Sequence, residues 1–223
     1  MLACWAAVVL GVSGLAAEEA PQRFLALGDS YTIGEGVADA DRWPVQLAAM
    51  LRERGVAVTA PEILARTGWT TDELGAAMDA HAFHPPYVLV TLLIGVNDQY
   101  RGRDLAGYRR EFRTLLERAI TLAGQRPQRV IVVSIPDWGV TRFGAESSRD
   151  KAQIARELDA YNAANAEIAK MLHTGYVDVT DFSRAGADRA DMLVGDGLHP
   201  SAAMYRQWAR RILPAAARAL STH

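Results

Sequence analysis

Two short stretches hold residues that could make a nucleophile and handle its proton. In "FLALGDSYTIGEG", residues 24–36, an apolar run stops at Gly28-Asp29-Ser30, so a serine hydroxyl sits where a buried strand gives way to a turn. In "VGDGLHPS", residues 194–201, Asp196 and His199 are three residues apart. In a turn leading into a helix, that spacing lets the carboxylate accept from imidazole Nδ1–H. The other ring nitrogen is then free to take a proton from a hydroxyl. The chemistry is attack by an activated serine, with the chain order Ser…Asp…His. The Gly-x-Ser-x-Gly elbow is absent. Such an attack also needs donors for the developing oxyanion. Asn97, in "GVNDQYRG", can supply a side-chain amide. Gly68, in "ARTGWTTDEL", lacks a Cβ and lets its backbone N–H approach a substrate closely.

The elements that must position these residues alternate between strand and helix patterns from Arg23 onward. "RFLALG", "VAVTA" (56–60), "YVLVTLLIG", "RVIVVSIP" and "YVDVT" are the expected strands. Between them lie helical stretches, among them "DRWPVQLAAMLRERG", stopped by Gly55, and "TTDELGAAMDAH", begun at a threonine cap. The last helix is expected to have Pro200 near its first position and a kink at Pro214. Five strands alternating with helices imply a parallel sheet covered on both faces. Right-handed crossovers restrict it to a doubly wound order. Ligands of such sheets bind beyond the carboxyl ends of the strands, where "GDS", the Gly68 turn and the Asn97 turn fall. Asp29 is expected to fix its turn rather than do chemistry, because a carboxylate beside an oxyanion would repel it. Asp98 reads as structural.

Gly28-Asp29-Ser30, Gly68, Gly95-Val96-Asn97-Asp98 and Asp196-Gly197-Leu198-His199 resemble the four blocks of the SGNH (GDSL) hydrolase family, in the family's order. The resemblance implies a three-layer α/β/α sandwich with a five-stranded parallel sheet, doubly wound and flavodoxin-like, over residues 22–221. It implies carboxylic ester hydrolysis through an acyl-enzyme, on a small-molecule acyl ester and without a cofactor. Ser30 would be the nucleophile, His199 the general base and then acid, and Asp196 its orienter. Ser30 N–H, Gly68 N–H and the Asn97 side chain would form the oxyanion hole. "LALGDSYTIGEG" and "IGVNDQYRG" are similar to the lysophospholipase-like and esterase members, which adds thioesters and lysophospholipids as related substrates. The alternative is an acyltransferase that uses the same triad to move the acyl group to an alcohol or sugar. A non-catalytic binding module would lack a triad member, and none is missing.

Trp69, Tyr100 and Trp138, with Phe143, lie in loops on the expected active face, where they either line an acyl pocket or pack beneath the loops. "PDWGVTRFGAESSRD", residues 136–150, is the expected specificity loop. Composition sets outer bounds. The chain has 223 residues, half of them hydrophobic, and a net charge of −2, which suits one globular domain and offers no basic stripe for nucleic acid. His81 and His84 in "HAFH" lack a third ligand and precede their strand, so no metal is expected. Cys4 is the single cysteine, which leaves the body of the chain no disulfide or thiol nucleophile. It lies in "MLACWAAVVLGVSGLAA", residues 1–17, an uncharged run short for a membrane span. The run ends in small residues that resemble a secretory signal cleavage site, although no Lys or Arg precedes it. A periplasmic or secreted protein with no stable span is expected. The alternatives are an N-terminal anchor and a cytoplasmic protein with a mis-assigned start. Nothing in the sequence specifies an oligomer.

Overall fold

Phe24–Gly28 forms β1, buried along its whole length. In the computed structural model, which describes residues 22–186 and 189–221, β1 lies inside a sheet of five parallel strands. The others are β2 (Glu62–Ala65), β3 (Leu89–Leu93), β4 (Val130–Val133) and β5 (Gly175–Val177), in the order β2-β1-β3-β4-β5. β1, β3 and β4 are apolar on both faces, as strands covered by helices must be. On one side, α2 (Trp43–Glu53) packs on α9 (Ala202–Ser221). On the other lie α3 (Thr71–Ala80), α5 (Leu105–Leu122) and α7 (Lys151–Met171). The short helices α1 (Ser30–Ile33), α4 (Val96–Tyr100), α6 (Arg142–Glu146) and α8 (Thr180–Ala185) lie in the connections. The fold is the expected α/β/α sandwich.

The second strand is not "VAVTA". Thr59 N donates to Gln22 O at 2.8 Å, and Val58 makes an isolated bridge to Gln22. Pro61 then has no N–H to continue a ladder, and regular pairing with β1 starts at Glu62. Pro200 does not open the last helix either. It bridges Leu193, and Ser201 caps α9, accepting from Met204 N at 3.4 Å. Pro214 lies inside α9, which continues to Ser221. The α3 start follows its sequence signal, a capping box in which Thr70 N donates to Glu73 Oε2 at 2.9 Å. Residues 1–17, with Cys4, lie outside the described residues. Among the described residues, no helix is long and apolar enough to cross a membrane.

The register decides where function sits. Gly28 pairs with Ala65 on one side and Leu93 on the other, so β1, β2 and β3 end together. Strand order reverses at β1 and β3, which makes this edge the switch point of the sheet. A Cβ on Gly28 would land on Thr32 Oγ1 and the Leu93 carbonyl oxygen. Gly28→Ala is therefore expected to destabilise the fold by about 1–3 kcal/mol. Thermal unfolding is the check, at roughly 2–4 °C per kcal/mol for a chain of this size.

Candidate active site

Ser30 begins α1 directly beyond β1. Asp29 caps that single turn by accepting from Tyr31 N at 3.0 Å, and Gly34, at φ 71°, closes it with an N–H to Ser30 O. Among the described residues, the Ser30 N–H has no acceptor. The second carboxyl oxygen of Asp29 is buried and has no hydrogen-bond partner among the described residues. Burial pushes this carboxyl up to about 8; the Tyr31 N–H opposes the shift and nearby Asp98 adds to it. Near neutral pH, Asp29 is largely uncharged. Asp29 thus brings little negative charge to the Ser30 turn.

Asp196 and His199 come from the turn before α9. Gly197, at φ 70°, lets the turn close, with Gly197 N donating to Val194 O at 3.0 Å. Asp196 Oδ1 accepts from Leu198 N at 2.8 Å and His199 N at 3.0 Å. Its Oδ2 lies 2.7 Å from His199 Nδ1. Partial burial works against the Asp196 charge, but the imidazole and the two backbone N–H groups outweigh it. The carboxyl is held below its usual range. His199 itself is buried, with its ring centroid 5.6 Å from that of Tyr31.

Gly68 and Asn97 follow β2 and β3. Gly68, at φ 86°, offers an N–H with no acceptor among the described residues, while its carbonyl accepts from Arg101 Nη2 at 2.7 Å. The Asn97 amide donates one hydrogen to Trp69 O at 2.9 Å, which orients it; among the described residues the second hydrogen has no acceptor. Asp98 ties the two loops together. It accepts from Thr71 Oγ1 at 2.7 Å and Thr71 N at 3.1 Å, so α4 is pinned to the start of α3. Burial pushes the Asp98 carboxyl up to about 6, against the Thr71 hydrogen bonds.

These side chains meet in one cleft of about 190 Å³. Ser30, Gly68, Asn97 and His199 line it, as do Tyr100 and Trp138. Asp196 stands behind His199. Trp69 is not part of the lining; its ring packs on the core and its carbonyl serves Asn97. Tyr31, Thr67, Val96, Phe143 and Leu198 complete the wall. Among the hydrogen bonds of the described residues, none joins Ser30 Oγ to the imidazole. In unliganded sites such contacts are often long and tighten on binding substrate.

A supporting layer behind the wall escaped sequence reading. Trp138 Nε1 donates to Gln99 Oε1 at 2.8 Å, and Gln99 Nε2 donates to Glu157 at 2.5 Å. Arg149 also binds Glu157, at 2.6 Å, and its guanidinium lies 5.6 Å from the Trp138 ring centre. The sole sequence hint was the nearness of Gln99 to Asn97. His81 is elsewhere, 2.6 Å from Glu62, whose other oxygen accepts from Tyr87 at 2.6 Å. Among the described residues, no group of three or more His, Cys, Asp or Glu side chains is arranged to hold a metal.

The sequence model of the GDSL-like lipase/acylhydrolase family matches residues 26–207, and the chain belongs to that family. No curated protein sequence matches it. Its fold is similar to the crystal structure of TesA, with 20% identity, a TM-score of 0.71, and 89% of this chain and 100% of that chain covered. The psychrotrophic esterase EstA from Pseudoalteromonas gives 15% identity and a TM-score of 0.61, covering 89% of this chain and 94% of that one. An acetylxylan esterase from Geobacillus stearothermophilus gives 18% and 0.65, covering 87% and 94%. At these identities the likeness is one of fold.

The raised Asp29 carboxyl has a measurable consequence. The folded chain keeps a proton that the unfolded chain releases near ~3.9. The stability contributed by Asp29 is therefore full below that value and is lost as pH rises toward about 8. Asp29→Asn keeps the cap and cannot ionise. Its stability relative to wild type is expected to improve steadily between about pH 4 and pH 8 and then level off. Denaturant unfolding of both proteins across that range checks it; parallel curves would mean that Asp29 titrates alike in both states.

Proposed function

We propose that this chain hydrolyses carboxylic esters through an acyl-enzyme on Ser30. Ser30 Oγ attacks the acyl carbon while His199 Nε2 takes its proton, and Asp196 holds Nδ1–H and offsets the charge of the imidazolium. The tetrahedral oxyanion is bound by Ser30 N–H, Gly68 N–H and the second Asn97 amide hydrogen. Collapse expels the alcohol, protonated by His199. Water then attacks the acyl-enzyme with His199 as base, releasing the acid and regenerating Ser30.

One observation carries the reading. The imidazole that Asp196 holds at 2.7 Å lines the same cleft as Ser30 and two oxyanion donors drawn from separate loops. Family membership supports acyl-ester chemistry, and two of the similar folds are described as esterases. The apolar wall of Tyr100, Trp138 and Phe143 suits the acyl portion of a small ester. Thioesters and lysophospholipids offer the same acyl carbon. Transfer to an alcohol or sugar would share the first half of the reaction, and product analysis with added glycerol separates it from hydrolysis. On the pattern of residues 1–17 we place the domain, residues 22–221, in the periplasm or outside the cell.

The test is a panel of p-nitrophenyl esters from acetyl to palmitoyl, with lysophosphatidylcholine and an acyl-CoA. Ser30→Ala is expected to lower kcat by as much as ~10⁶ without unfolding the protein. Activity above about a tenth of wild type would remove Ser30 as nucleophile, since one decade is only ~1.4 kcal/mol. Asn97→Ala is expected to cost ~10²–10³ in kcat with little change in KM. A rise in KM alone would make Asn97 a substrate-binding residue instead.

A further inference from the structure

The segment between β4 and α7 touches two parts of the site. Trp138 and Phe143 wall the cleft, with ring centroids 5.9 Å apart. Thr141 caps α6 between them, accepting from Gly144 N at 3.1 Å. From this same end the segment grips the turn that carries Asp196 and His199. Arg142 Nη2 donates to Gly195 O at 2.7 Å, and Phe143 N donates to Gly197 O at 3.1 Å. The peptide group before Asp196 and the one after Gly197 are thus both held by the first two residues of α6. The guanidinium also lies against Gly197, where a Cβ would come within 2.5 Å of Arg142 Nε.

The turn's own hydrogen bonds bring Asp196 to His199, but none of them ties the turn to the rest of the domain, so they neither steady the pair nor aim it at Ser30. Val194 N donates to His199 O, Gly197 N to Val194 O, and Ser201 N to Met192 O, all within one hairpin-like stretch. Among the described residues, the bonds from Arg142 and Phe143 are the hydrogen bonds that reach 194–199 from another part of the chain. The Phe143 bond is main chain and survives any side-chain change. Arg142 is the part that a substitution can remove.

We infer that Arg142 is a positioning residue that fixes the Asp196–His199 pair against Ser30. The inference rests on the esterase reading for its kinetic consequence. The planar fork donates to one carbonyl while bracing the neighbouring glycine, and a lysine ammonium can do only the first of these. Because Arg142 is exposed, its loss barely alters the core, while a shift of the imidazole by a fraction of an ångström is costly to the rate.

The experiment compares wild type, Arg142→Ala, Arg142→Lys and Ser30→Ala on a soluble ester, with thermal unfolding alongside. In parallel, the far-downfield proton of the Asp196–His199 hydrogen bond is followed by NMR at acid pH. Arg142→Ala is expected to lower kcat by roughly 10–10²-fold with KM within about twofold. Its unfolding temperature should stay near wild type, and its downfield resonance should broaden or vanish. Arg142→Lys should fall between the two. An unchanged kcat would overturn the inference, and so would a rise in KM alone, which would place the guanidinium on substrate. If Arg142→Ala fails to fold, the lysine variant is read by the same criteria. A wild type that cleaves no ester, or an active Ser30→Ala, would overturn the esterase reading. The resonance then decides the role of Arg142 without substrate, and an unaltered signal in Arg142→Ala overturns it.

Discussion

Gly28 stands in register with a strand on each side, opposite Ala65 and Leu93, and the rest of the site depends on that register. Three strands end at one level, so three loops leave the same edge of the sheet. Each delivers one donor to the cleft: Ser30 after β1, Gly68 after β2 and Asn97 after β3. A side chain on Gly28 would occupy the place of Thr32 Oγ1 and the Leu93 carbonyl, which separates α1 from the edge of β3. Asp98 locks the result by joining α4 to the start of α3 through Thr71. These three donors are therefore held by strand pairing and buried hydrogen bonds, which leaves them little freedom to reorganise.

The imidazole arrives from the other end of the chain, on the turn before α9, and two aspartates in the site meet opposite environments. Asp29 is wholly buried, with one oxygen that finds no partner among the described residues, and burial pushes its carboxyl up to about 8. Asp196 is partly open and accepts from two backbone N–H groups and the imidazole, which hold it ionised. The neutral one shapes the serine turn and the charged one holds the imidazole. Carboxyl groups whose surroundings push them apart in this way take separate roles.

Much of this was legible in the sequence, for physical reasons. β1, β3 and β4 are long apolar runs because both their faces are covered, and the polar turns after them stand out by contrast. β2 was misplaced because it is a short, half-buried edge strand, and "VAVTA" upstream has the better alternation. Ser30, Asp196 and His199 were visible through residue type and spacing. Arg142, Gln99 and Glu157 were not, since each is an ordinary polar residue whose partner lies dozens of positions away. Indoles in loops look alike in sequence. Trp138 reaches the cleft because Gln99 and Arg149 hold it there, while Trp69 contributes only its carbonyl.

Covalent trapping is the most direct test of Ser30 as the atom that carries the acyl group. The protein is treated with a p-nitrophenyl alkylphosphonate, which mimics the tetrahedral intermediate, and the product is weighed intact and then peptide-mapped. The account requires one phosphonyl group per chain, on the peptide that holds Ser30, formed far more slowly when Asp196 is replaced by asparagine. A label on any other residue, or no label under conditions where an ester is turned over, would contradict it.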